Sequence, residues 1–273
     1  MRKTLHVVSI ACWLASAAFA QPLAEKRPDP PTPGAGTGAV AFEQLESLWP
    51  TPTEVRLASG APGPAYWQQR VDYDIQVRLD EDTQRIEGKE RITYWNRSPH
   101  SLTYLWLQLD QNRFRPTSRG ALAETAPNFV ELAYDEFAQR LESARFSGGF
   151  TISKVAAAED GRALRATTVD TMMRIDLPRP LAPGASFGFD LEFSFPLVDA
   201  TKIRMRQGFE KFPDGHSIYE IAHFYPRMAA YVDYQGWQHK QFLGAGEFTL
   251  DLGDYRLAID VPSDHIVAAT RSE

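Results

Sequence analysis

The sequence is poor in cysteine. Cys12 is the only one among 273 residues, which excludes zinc ribbons and a disulfide-stapled scaffold. It has no block of lysine and arginine, and acidic residues outnumber basic ones, 35 to 29. Nucleic acid is therefore not an expected partner. No apolar run reaches the ~20 residues that a membrane-spanning helix needs. A P-loop, a G-x-G-x-x-G after a strand and an H-E-x-x-H helix are all missing, and the one G-x-S-x-G match, Gly184 to Gly188, opens the alternating stretch from Ser186 to Phe195 rather than a helix, so it is not a nucleophile elbow. The chain thus lacks the local devices for nucleotide binding, serine nucleophilic catalysis and helix-borne zinc hydrolysis.

What remains is ordinary globular material, with 43% hydrophobic, 23% charged and 12% aromatic residues. The first 20 residues read as a signal peptide. Arg2 and Lys3 supply the positive start, an apolar run extends from Leu5 to Phe19, and Ala18-Phe19-Ala20 gives an A-x-A cleavage site before Gln21. Loss of that leader removes Cys12 and leaves 27 basic against 35 acidic residues, a net charge of −8. The expected product is exported, periplasmic or secreted, with no membrane span after cleavage.

Residues 21–65 read as a tether with one short helix. The stretch 21–40 holds five prolines and three glycines and cannot bury a core. Phe42, Leu45 and Leu48 follow at helical spacing, closed by Trp49-Pro50. From residue 66 to 273 the dominant period is two. Val71, Tyr73, Ile75, Val77 and Leu79 alternate with polar residues, and a return strand is expected over Arg85 to Trp95. Leu102 to Leu109 is apolar on both faces, as in a central strand. Val130 to Arg145 predicts a helix with Phe137 and Leu141 on one face. Weak strands are expected over Thr151–Ala156 and Ala163–Thr168, another over Met173–Leu177, then a turn from Pro178 to Gly184. Phe187, Phe189, Leu191, Phe193 and Phe195 form the clearest amphipathic strand, with the phenylalanines read as core. Phe248, Leu250 and Leu252 predict a strand that turns at Gly253-Asp254 into Tyr255–Val261. About ten strands and one modest helix imply an all-β fold, a large antiparallel sandwich or curved sheet.

Candidate chemistry is sparse. His216, Glu220 and His223 would share a face on a helix, but Pro213-Asp214-Gly215 before them and Pro226 after them favour extended chain. No metal site and no catalytic residue is assigned. Asp72 with Asp74 and Asp190 with Glu192 fall on wet strand faces. Asn96-Arg97-Ser98 matches a glycosylation sequon and reads better as a turn. Tyr231, Tyr234 and Trp237 could form an aromatic platform for peptides or sugars, and core or turn packing would explain them equally.

Two blocks carry a resemblance. One is Arg91 to Asn112, RITYWNRSPHSLTYLWLQLDQN. The other is Tyr219 to Thr270, which holds Tyr225-Pro226-Arg227, Gly236-Trp237, Gly246-Glu247-Phe248 and the Val-Pro…Val-Ala-Ala-Thr ending in order. Both resemble the N-terminal domain of the gluzincin aminopeptidases, peptidase family M1, and most nearly a bacterial branch of it. The resemblance spans residues 66–273. It implies a saddle-like β domain that covers one side of a catalytic domain carrying H-E-x-x-H, a further glutamate ligand and a G-x-M-E-N loop. Those motifs do not occur in this sequence, so the resemblance implies a chain truncated before the catalytic domain, with no cofactor of its own and zinc in the missing part. Its partners would be that catalytic domain and the peptide N-terminus that serves as substrate. Glu220, and His223 where a glutamine is common, match the family position that holds the substrate amine, and a carboxylate suits an ammonium group. Val232 stands where an aspartate is common and Arg271 where a glycine is usual. The alternative class is a stand-alone periplasmic β-sandwich module that binds peptides. The His216, Glu220 and His223 set as a hydrolase centre is a third.

Overall fold

The computed structural model describes the backbone of Arg2–Val8 and residues 52–126, 128, 130–203, 207–244 and 249–269. The expected helix around Phe42, most of the leader, Phe248 and Arg271 lie outside the described residues. The strands are β1 (Arg2–Val8), β2 (Arg70–Asp80), β3 (Arg85–Trp95), β4 (Leu102–Gln108), β5 (Thr151–Ala157), β6 (Ala166–Val169) and β7 (Met172–Leu181). They continue with β8 (Ser186–Pro196), β9 (Gly208–Lys211), β10 (Ser217–Glu220), β11 (Arg227–Met228), β12 (Tyr231–Val232), β13 (Gly236–Trp237) and β14 (Tyr255–Pro262). Two α-helices, α1 (Arg119–Leu122) and α2 (Tyr134–Arg145), and a 3-10 turn over Asp110–Phe114 complete the described elements. The fold is all-β.

Alternation decides the main sheet. Val71, Tyr73, Ile75, Val77 and Leu79 of β2 are buried, and the residues between them are not. β3 pairs β2 antiparallel in unbroken register from Arg70↔Trp95 to Asp80↔Arg85, and β8 pairs the far side of β3. The six-stranded order is β1-β14-β2-β3-β8-β5. A second sheet has the order β11-β4-β7-β6, and β9/β10 and β12/β13 form two small ribbons. Buried side chains of both large sheets belong to one apolar cluster, with Ile92, Phe189 and Phe195 from the first and Leu105, Leu107 and Ile175 from the second. A backbone link joins them: the Met228 N–H of β11 donates to the Tyr73 hydroxyl of β2 at 2.9 Å.

Gly88 shows why a glycine sits inside β3. It faces Phe193 across the ladder, and an added Cβ would lie 2.2 Å from that ring. The ring fills the place a side chain would take, and meets Phe150 edge-on at 5.5 Å.

Several expectations need correction. β14 runs parallel to β2, so the main sheet is not antiparallel throughout. No strand covers 249–252: Leu252 makes only an isolated bridge to Arg70 and is exposed. β7 runs on through Pro178 to Leu181, because that segment pairs with the start of β4, and the turn is only Ala182–Gly184. The helix starts at Tyr134, and Phe137 and Leu141 share a face that stays 42% and 40% exposed. Phe189, Phe193 and Phe195 of β8 are buried in the core as read, while Phe187 is half-buried and packs against it.

The chain divides into two compact units, Met1–Ile10 with Gln68–Glu273, and Ala11–Trp67. In the second, Thr53 Oγ1 accepts from the N–H groups of Val55 and Arg56, and Arg56 bridges Pro62 across a tight loop. Among the described residues no helix is long and apolar enough to cross a membrane.

Candidate functional site

The stretch from β10 to β11 carries the sequence-predicted residues, and its anchoring is built from outside it. Arg227 opens β11, which pairs with the end of β4 through Arg227↔Gln108. That pairing brings its guanidinium to Asp110, the first residue of the 3-10 turn, and the two form a buried ion pair. Burial pushes the Asp110 carboxyl upward, while Arg227 and then His223 pull it back. Loss of one partner from such a pair leaves a buried charge and costs about 3–5 kcal/mol.

Next to Asp110, the Gln111 amide donates to the carbonyls of Ala222 and His223 at 3.0 and 3.1 Å. It also exchanges hydrogen bonds with Gln207 at 2.6–2.7 Å, in a buried amide pair. These bonds hold the chain where it reverses. His223 takes φ 50°, in the left-handed region, which histidine tolerates better than most residues. Its ring meets Phe242 edge-on at 5.9 Å. Tyr225 packs into an aromatic group with Tyr73 (5.5 Å) and Tyr255 (6.3 Å).

Glu220 ends β10 opposite Gly208 and its side chain is exposed. His216 precedes β10 in a turn and pairs with Asp214 at 3.1 Å. The segment is extended, so His216, Glu220 and His223 do not gather on one face. No group of three or more His, Cys, Asp or Glu side chains is placed to hold a metal among the described residues.

The aromatic platform does not form. Trp237 is 9% exposed and packs against Tyr94 and Tyr231 at 5.9 and 5.1 Å, whereas Tyr234 is 65% exposed. Tyr231 shares a hydrogen bond with His100 Nδ1 at 3.1 Å. Core packing accounts for Trp237, and the binding-module reading loses its surface. Asn96 is wholly buried and its amide donates to the His100 and Leu181 carbonyls, so the sequon is a turn lock. The wet-face carboxylates are charge-paired: Asp72 with Arg70 at 2.8 Å, Asp190 with Arg91 at 2.7 Å. Asp74 faces Arg256 and Glu192 faces Lys154, both at 3.7 Å.

Sequence reasoning missed two buried acids. Glu90 sits between Ile75 and Leu191 on the core face, 3% exposed, with no hydrogen-bond partner for either carboxyl oxygen. Burial alone pushes it well above the usual carboxylate range. Asp251 is pushed up to about 7 by burial, against a hydrogen bond from the Tyr231 backbone. The signal for Glu90 was available, since it takes an inward place in the β3 alternation between Gly88 and Ile92.

No protein-family model matches the chain, and no curated protein matches it. Among solved structures it is similar to a mutant M1 zinc metallopeptidase from Deinococcus radiodurans, with 15% identity over 55% of this chain and 25% of that one, at a TM-score of 0.31. For the mutant of that metallopeptidase bound to a Tyr-Ser-Ala substrate the values are 13%, 74%, 34% and 0.35. For the two-domain mutant M1 zinc metallopeptidase bound to L-arginine they are 15%, 72%, 33% and 0.35. The chain spans a quarter to a third of the length of these enzymes. Likenesses of this size do not by themselves define a family.

Proposed function

We propose that the chain is the non-catalytic N-terminal β domain of an exported zinc metallopeptidase of the M1 type, an aminopeptidase, and that it walls one side of the active-site cleft. One observation carries the reading: the ordered block from Tyr219 to Thr270 that resembles the family. Its anchors have structural work to do. Arg227 is tied down by Asp110, and Trp237 is buried. Glu220, a few residues upstream, is left exposed at a strand end. An exposed carboxylate on an anchored ribbon suits the ammonium group of a peptide N-terminus. His223 follows at the reversal fixed by Gln111.

H-E-x-x-H is absent from the sequence, and among the described residues no group of His, Cys, Asp or Glu side chains fits a zinc centre. No step is assigned to metal here. Zinc and the hydrolytic groups belong to the proposed partner, a catalytic domain of the same polypeptide.

The test has two parts. Glu220→Gln in the full-length enzyme is expected to raise KM for aminoacyl anilides about tenfold, with kcat changed less. An unchanged KM removes Glu220 from the site. Aminopeptidase turnover with stoichiometric zinc by residues 21–273 alone would overturn the domain assignment itself.

A further inference from the structure

A second site is independent of that reading and shares no residue with the Glu220 loop. A cavity of about 500 Å³ opens where the start of β3, the segment after the 3-10 turn, the start of β5 and the end of β8 meet. Two half-buried guanidinium groups line it, Arg85 and Arg115, and no carboxylate does. Neither arginine is in a salt bridge among the described residues. In a chain with net charge −6, such a local excess of positive charge is out of character.

Both arginines are held in place by neutral acceptors. Arg115 donates to the Phe150 carbonyl at 2.6 Å. Gly149 makes that possible: at φ +103° it brings bare backbone against the guanidinium, and an added Cβ would lie 2.4 Å from Arg115 Nε. The Phe150 N–H in turn donates to Asn112 Oδ1 at 2.9 Å, which fixes the carbonyl's position. Arg85 donates to Ser194 Oγ at 3.0 Å. Each fork has five N–H donors and spends few of them on the protein. Thr117, Ser147 and Thr151 add hydroxyl groups to the lining. Fixed, uncompensated arginine forks with hydroxyl donors beside them match oxyanions, and two positive charges match a dianion. The volume falls in the range of small-molecule sites and exceeds what a bare inorganic ion fills.

We propose that this cavity binds a small organic dianion of the phosphate-monoester class, with Arg85 and Arg115 as the charge-pairing residues. Titration calorimetry in a phosphate-free buffer would use phenyl phosphate and inorganic phosphate, with acetate as the monoanion control. Saturable binding of phenyl phosphate is expected, tighter than that of inorganic phosphate, with acetate at least about tenfold weaker. Arg85→Gln is expected to weaken binding about tenfold with the thermal unfolding profile kept. Arg115→Lys, which retains charge but not the fork, should weaken it as well. Absence of saturable binding of either phosphate overturns the proposal. So does equal affinity in a folded Arg85→Gln protein, or equal affinity for acetate.

Discussion

Replacing Glu90 with methionine should make the protein more stable and change how its stability depends on pH. The carboxyl is enclosed by Ile75 and Leu191 and has no hydrogen-bond partner. An unfolded glutamate titrates near ~4.3, while burial holds the folded one well above that. Between the two values the unfolded chain gives up a proton that the native chain keeps. Stability is therefore whole below the unfolded pKa and is lost as pH rises toward the folded one, by about 1.4 kcal/mol per pH unit. Asp251, whose pKa stands at about 7, adds a slope of the same size and sign up to that pH. Asp72 is held below its usual range despite burial, by hydrogen bonds from the Asp254 backbone and Arg70, and acts only in more acid solution. Methionine fills similar space with no polar atoms to satisfy. It should remove the cost of an unpaired buried group, about 1–3 kcal/mol, and with it one of the two slopes. Urea unfolding of both proteins at intervals from about pH 5 to pH 7 reads both effects. If the two stability curves run parallel, Glu90 carries the same charge in the native and unfolded chains and the account of its burial is wrong.

Gly88→Ala should destabilise by about 1–3 kcal/mol, because the new methyl meets the Phe193 ring inside a filled core. A neutral effect in thermal unfolding would mean that ring is free to move aside. Tyr73→Phe leaves the Met228 N–H without its acceptor between the two sheets. It should cost about 1–3 kcal/mol in urea unfolding. Trp237→Ala should cost about 3–5 kcal/mol of stability, and a loss of peptide binding without any loss of stability would restore the surface-platform reading.

β2, β3 and β8 were legible because one face of each is buried and the period of two holds along them. β3 was placed to the residue, since charged and turn residues bracket it on both sides. The parallel pairing of β14 with β2 was not legible, because alternation fixes which face is buried but not the neighbour or its direction. The helix over Tyr134–Arg145 was visible in type only, and its apolar spacing did not reveal that it buries no residue. In the candidate site, Glu220 and His223 could be named from a resemblance. Asp110 and Gln111, which anchor the stretch they sit on, could not. They lie more than a hundred residues from Arg227 and His223, and no local pattern links positions that only the fold brings together.

The first strand has a consequence for the life of the chain. Arg2–Val8 lies antiparallel along β14 over seven residue pairs, and these are residues of the expected leader. Cleavage after Ala20 would strip that strand away and leave β14 with a row of unanswered N–H and C=O groups. While attached, the leader would act as an escort that shields an adhesive border from other copies. Without Arg2–Val8 that border would be an open edge for strand pairing, and a chain lacking these residues is expected to self-associate, as sedimentation would show.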